Sequence, residues 1–207
     1  MTGKALKFGP LGPDTVHVCV DMQRLFGEET QWHTRDLAAI LKNTARIVAH
    51  APASTILTRF RTPNTADEAP GQWRNYYQRW DRVLASQLPE EMFGVMPDLA
   101  GFAPPAVEID KTTYNAFESP TFQQAIDRLK PGALIFSGVE TDVCVLATLL
   151  AAVDRGYRSI VARDAVASGN AIGHRAALEM VIVRYEMQIE IADTDDILAQ
   201  WQPAAKR

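Results

Sequence analysis

Six short apolar runs, separated by stretches of helical periodicity and one turn-rich crossover, leave this chain few folds other than a parallel sheet covered on both faces. The runs are residues 16–20, 55–60, 107–110, 133–137, 159–162 and 188–192. The first, 16–20, is apolar at nearly every position, as expected where a parallel sheet is covered on both faces. Between the runs, residues 37–48, 73–84, 122–129, 145–153, 173–185 and 195–201 read as helices. Parallel neighbours need crossover connections, so the expected fold is α/β, a three-layer α/β/α sandwich with a six-stranded, mainly parallel sheet.

At 207 residues the chain is long enough for one sizeable core and reads as a single domain over residues 1–207. Pro10 and Pro13 make residues 1–13 a surface lead-in. Pro63, Pro70, Gly71, Pro89 and Pro97 break up residues 61–99, whose middle is crowded with Trp73, Tyr76, Tyr77 and Trp80. That stretch is expected to be an elaborated crossover with a helical centre. A net charge of −4 supplies no basic field for nucleic acid. No apolar run approaches the roughly 20 residues of a membrane span, and the first residues lack the pattern of a secretion signal, which points to the cytoplasm. With only Cys19 and Cys144, neither a disulfide framework nor a thiolate metal site is expected.

Ligands of open parallel sheets bind beyond the carboxyl ends of the strands. The residues there are Asp21 after the first strand, Arg59 and Arg61 at the second, Asp110 and Lys111 at the third, Cys144 beyond the fourth, and Arg163 and Asp164 after the fifth. Gly138 permits a sharp turn out of the fourth strand, and Thr141 is placed to cap a helix. The Cys144 thiol then falls in the first helical turn, where the macrodipole favours thiolate. Asp21 would take the thiol proton and later hand it to a leaving amine, while Lys111 between them would hold the carboxylate ionised and make the thiol acidic. None of His17, His33, His50 and His174 is placed for a Cys–His dyad, and this set needs none. Singly, each member has an ordinary reading as a cap, a surface charge or a small buried apolar group; three such groups at three strand ends make a coherent catalytic set.

Phe26, Trp32, Phe60, Trp73, Tyr77, Trp80 and Tyr114 are candidate pocket walls, and Arg59 and Arg61 suit equally the bidentate holding of a substrate carboxylate and surface or interface ion pairs. Trp73 and Trp80, seven residues apart, equally suit a core or subunit contact, which makes a homo-oligomer plausible. Asp142, Arg163 and Asp164 read as capping or pairing groups beneath the site.

Three segments, Val20-Asp21-Met22-Gln23, Asp110 to Phe117 and Ser137 to Val145, resemble the signature segments of the isochorismatase-like cysteine hydrolases, and the similarity continues through Gly156-Tyr157 and Arg163-Asp164-Ala165. The resemblance implies a Rossmann-like form of the sandwich, a catalytic triad of Asp21, Lys111 and Cys144, a cis peptide between Val139 and Glu140, and an oxyanion hole made by the backbone N–H groups of Glu140 and Cys144. It also implies a dimer or tetramer. Nicotinamidases of this group carry an Asp-x-His metal motif after the second strand; this chain reads Thr58-Arg59-Phe60-Arg61 there, so no metal and no cofactor is expected. Members that cleave the vinyl ether of isochorismate lack the cysteine. Cys144 therefore directs the expectation to hydrolysis of a small non-peptide amide or N-carbamoyl/ureido compound through a thioester. The alternatives are an isochorismate-type ether hydrolase and a non-catalytic member that binds a metabolite or a partner protein. For substrate binding the shortlist is Phe26, Trp32, Phe60, Arg61, Trp80 and Tyr114, around a small molecule rather than nucleic acid or a membrane.

Overall fold

The computed structural model describes residues 5–204, and all six apolar runs form strands in it. These are β1 (Thr15–Val20), β2 (Thr55–Phe60), β3 (Val107–Lys111), β4 (Ala133–Val139), β5 (Arg158–Ala167) and β6 (Ile189–Ala192). They make one sheet in the order β3-β2-β1-β4-β5-β6, parallel at every pairing. The chain steps outward from β1 to β3 and then returns to lay β4 on the other side of β1. The strand order therefore reverses between β1 and β4, where an open sheet leaves a crevice. Both strands are buried at every position.

Six helices of six or more residues accompany the strands among the described residues: α1 (Leu37–His50), α2 (Trp73–Arg79), α3 (Pro120–Leu129), α4 (Leu146–Asp154), α5 (Ala171–Ala176) and α6 (Thr194–Gln200). Alternate residues of β4 serve opposite faces. Ile135 joins Ile47 of α1 and Ile197 of α6 in one apolar cluster, while Leu134 and Phe136 join Phe122 of α3 and Leu149 of α4 in the other. This is the three-layer α/β sandwich expected from the apolar runs.

Three expected elements differ. The helix expected over 73–84 ends at Arg79, because Trp80 leaves helical geometry (φ −105°, ψ 53°) and Asp81–Val83 form a 3-10 turn. The helix expected over 173–185 is α5 followed by a π turn (Ala177–Val181) and a 3-10 turn (Ile182–Tyr185). β5 runs on past residue 162 because the pairing with β4 shifts from Phe136–Val161 to Gly138–Val166, so β5 advances five residues while β4 advances two. The described part of the lead-in is irregular, and residues 1–4 of it lie outside the described residues.

Gly138 is where the crevice demands glycine. Its φ is +107°, and a β-carbon there would sit 2.0 Å from the Val20 carbonyl oxygen, so no side chain fits between β4 and β1. Gln23 then anchors the 61–99 crossover across the end of β1. Its buried Nε2 donates to the Phe60 and Phe93 carbonyls (3.1 and 2.9 Å) and its Oε1 accepts from the Phe60 N–H (2.6 Å). The aromatic residues of the crossover are thereby laid over the strand ends. Among the described residues no helix is long and apolar enough to cross a membrane.

Candidate active site

Asp21 follows β1 directly, at φ +50°, a left-handed conformation that aspartate tolerates better than most residues. Its Oδ1 accepts from Thr58 Oγ1 of β2 at 2.7 Å. Its Oδ2 meets Lys111 Nζ at 2.7 Å, an ion pair in which both side chains are at most 1% exposed. Lys111 ends β3, and β2 lies between β3 and β1, so the two strand ends are not adjacent. The lysine stem spans the gap: Nζ passes 4.5 Å from the centre of the Phe60 ring and also donates to the Thr113 carbonyl (3.0 Å).

Cys144 lies in a π turn, Thr141–Val145, that begins at the cis Val139–Glu140 peptide. The Val145 N–H donates five residues back to the Glu140 carbonyl at 3.1 Å, widening the turn relative to an α-helix. Thr141 is not the cap. Glu140 occupies that position, and Thr141 Oγ1 instead bonds His174 Nδ1 at 2.8 Å. The thiol is close enough to both Asp21 and Lys111 to feel the charge of each.

Burial pushes the Cys144 thiol well above its ordinary range; Lys111 opposes this and Asp21 adds to it. The expected acidic thiolate is therefore corrected. The ammonium and carboxylate act on the sulfur with opposite sign, and the absence of water decides the balance in favour of the neutral thiol. For Lys111, burial alone favours deprotonation, but the attractions of Asp21 and Cys144 outweigh it and the net direction is up. The resting site is thus a thiol beside an ammonium–carboxylate pair.

In front of the thiol is a cavity of about 40 Å³ lined by Phe26, Trp32, Phe60, Tyr76, Tyr114, Glu140, Val143 and Cys144. Four expected wall residues, Phe26, Trp32, Phe60 and Tyr114, are there. Trp32 is the hub, stacked on Phe26 (5.8 Å between centroids) and edge-on to Phe60 (5.6 Å). Arg61 and Trp80 do not line the cavity, which corrects their assignment as substrate-binding residues. Arg61 forks onto Glu90 (2.7 and 2.9 Å) and lies 4.4 Å over the Phe93 ring, so its donors are already committed. Trp80 comes after the helix has ended and packs on Tyr76. Arg59 is likewise held by Glu108 and Asp110. Tyr76, Val143 and the Glu140 side chain were missed. Helical spacing from Trp73 would have found Tyr76, whereas nothing local in the sequence marks the other two. Asp142, Asp164 and Arg163 are structural as expected: Asp142 accepts from Ser168, Asp164 caps α6 through the Thr194 N–H (2.8 Å), and Arg163 pairs with Asp193.

His17 lies fully buried on β1, bonded to Ser137 Oγ at 2.8 Å, and burial pushes its pKa down to about 3 from the ordinary 6.5. Between those values the unfolded chain binds a proton that the folded one refuses. Stability should therefore fall as pH is lowered from 6.5 toward 3, with a slope of up to about 1.4 kcal/mol per pH unit from this residue. Urea unfolding at pH 7, 5 and 4 should show a shallower acid slope for His17→Gln than for wild type; equal slopes would contradict this.

Among the described residues no group of three or more His, Cys, Asp or Glu side chains is arranged to hold a metal ion. The isochorismatase domain family matches residues 15–196. An uncharacterized isochorismatase family protein of Bacillus subtilis is 40% identical over 70 residues, a match that spans 34% of this chain and only 38% of that protein. Nicotinamidase 3 of Arabidopsis thaliana is 26% identical over 163 residues, 77% of this chain and 76% of that one. Among solved structures, a cysteine hydrolase from Pseudomonas syringae pv. phaseolicola superposes with a TM-score of 0.79 over 97% of this chain and 98% of its own, at 24% identity, a likeness of fold.

Proposed function

The chain belongs to the isochorismatase family, and on that premise we propose that it is a cytoplasmic, metal-independent cysteine hydrolase of a small non-peptide amide or N-carbamoyl compound. The observation that carries this reading is the buried 2.7 Å pair of Lys111 and Asp21 set against the Cys144 thiol. A carboxylate kept ionised in a dry site by an ammonium is a base that can accept the proton of the neighbouring thiol. The cysteine hydrolase fold of the Pseudomonas protein and the nicotinamidase relative, an amidase by name, lend support.

In this mechanism Cys144 Sγ bonds to the substrate carbonyl carbon as its proton passes to Asp21, and the carbonyl π pair moves onto oxygen. The backbone N–H groups of Glu140 and Cys144 hold that oxyanion. The C–N bond then breaks, Asp21 protonates the departing nitrogen, and ammonia or an amine leaves a thioester on Cys144. Water adds to the thioester, Asp21 takes its proton, and collapse releases the acid as the proton returns to sulfur. Lys111 stays charged throughout and keeps Asp21 from holding the proton at rest.

Incubation with a panel of small carboxamides, followed by mass spectrometry of the Cys144 peptide and assay of released ammonia, should reveal an acyl adduct and turnover for at least one member. Ammonia release without dependence on Cys144 would sink the thioester route. We also propose a homo-oligomer. The crossover aromatics pack inward, and among the described residues the exposed large apolar side chains are instead Phe8 and the group Ile172, Met180, Val183 and Met187, of which the group suits a second copy. Light scattering should show an assembly larger than 22.9 kDa that Met180→Glu weakens.

A further inference from the structure

The charge distribution of the pocket points past the reaction to the kind of amide it accepts, an inference that rests on the reading just given. Five aromatic rings face the cavity, and the one carboxylate among its lining residues is Glu140. Glu140 Oε1 accepts from Thr34 Oγ1 (3.0 Å) and from the Gly169 N–H (2.8 Å), both uncharged donors, and among the described residues no lysine or arginine pairs with it. Lys111, the cation nearest the thiol, is committed to Asp21 and to the Thr113 carbonyl. Arg59 and Arg61, which would have suited a substrate carboxylate, are held by acidic side chains. The other donors in the wall are Trp32 Nε1, buried and without a partner, and the Tyr76 and Tyr114 hydroxyls, and these neutral groups do not offset the cost of taking a carboxylate out of water.

We propose that the site selects amides whose non-reacting end is uncharged or cationic and rejects those bearing a carboxylate, with Glu140 as the specificity-determining residue. The ring faces add to the discrimination, since their quadrupoles attract cations and repel anions. Glutamine at 140 would keep a side-chain oxygen for Thr34 and Gly169 while removing the charge, so the hydrogen bonds that place the side chain are retained and the binding comparison reads the loss of the charge.

Three amides of similar size test this: 3-methylbutanamide (neutral), 3-aminopropanamide (cationic) and malonamate (anionic). Dissociation constants are measured by calorimetry on the Cys144→Ser protein, where no turnover intervenes, and ammonia release is measured on the protein with Cys144 intact. Malonamate should bind at least about tenfold more weakly than the neutral amide, and Glu140→Gln should close most of that gap. Malonamate binding as well as or better than the neutral amide, no binding by any of the three, or a gap unchanged in Glu140→Gln would each overturn the proposal. The two readings fail separately. The expected order of binding with no ammonia released by any of the three supports the charge selection and counts against amide hydrolysis, whereas Cys144-dependent hydrolysis that favours malonamate does the reverse.

Discussion

Cys144→Ala should lose hydrolysis by on the order of 10⁴-fold or more in kcat, with the fold retained. The chemistry assigned to the sulfur has no substitute nearby: the hydroxyls in the wall belong to Tyr76 and Tyr114, both held by burial above their ordinary range and so less able to act as nucleophiles. Removing one sulfur from a nearly buried side chain should cost only about 1 kcal/mol of stability, so circular dichroism and urea unfolding should be close to wild type. Turnover within tenfold of wild type in that folded variant would rule out the nucleophile. The raised thiol adds a second signature. Iodoacetamide should modify resting Cys144 slowly at pH 7 and faster as pH rises, because the free thiolate is scarce until substrate arrives.

The second large effect concerns the ion pair. Asp21→Asn should abolish turnover and also cost about 3–5 kcal/mol of stability, since it strands a fully buried ammonium. Lys111→Met should cost a comparable amount by stranding the carboxylate, with only Thr58 Oγ1 and no counter-ion left to it. The double variant should cost well under the sum of the two, because the penalty lies in the unpaired charge rather than in the lost pair. Urea denaturation of the four proteins gives the coupling energy, and additive losses would show that the pair is not energetically linked. Lys111 is held above its ordinary value of 10.5, so the stability it contributes is complete below that pH and is lost only as pH rises through the higher folded value. The wild-type advantage over Lys111→Met should therefore be level between pH 7 and 9.

Much of this was legible without coordinates. The central strands β1 and β4, buried at every position, stand out as apolar runs, and the residues at and beyond the strand ends gave Asp21, Lys111 and Cys144 as the candidate set. Where sequence reading went astray, the deciding contact came from a distant part of the chain. Thr141 has the composition of a cap, yet His174 takes its hydroxyl. Arg61 sits at a strand end like the others, but Glu90, 29 residues on, takes its guanidinium. Trp80 falls at helical spacing from Trp73 in a helix that stops one residue earlier.

The alternation of apolar runs and helical segments by itself determined the layered parallel sheet, and with it the edge at which chemistry-bearing residues gather, because strand burial and crossover handedness act through local pattern. Only the tertiary structure decided three further things. Lys111 reaches Asp21 across an intervening strand, because a long side chain rather than strand adjacency closes the distance. The thiol rests protonated, because the loss of water on packing outweighs a nearby positive charge. The pocket keeps one carboxylate without a basic partner among the described residues, because Thr34 and Gly169 hold the Glu140 oxygen while Arg59 and Arg61 pair with other acids.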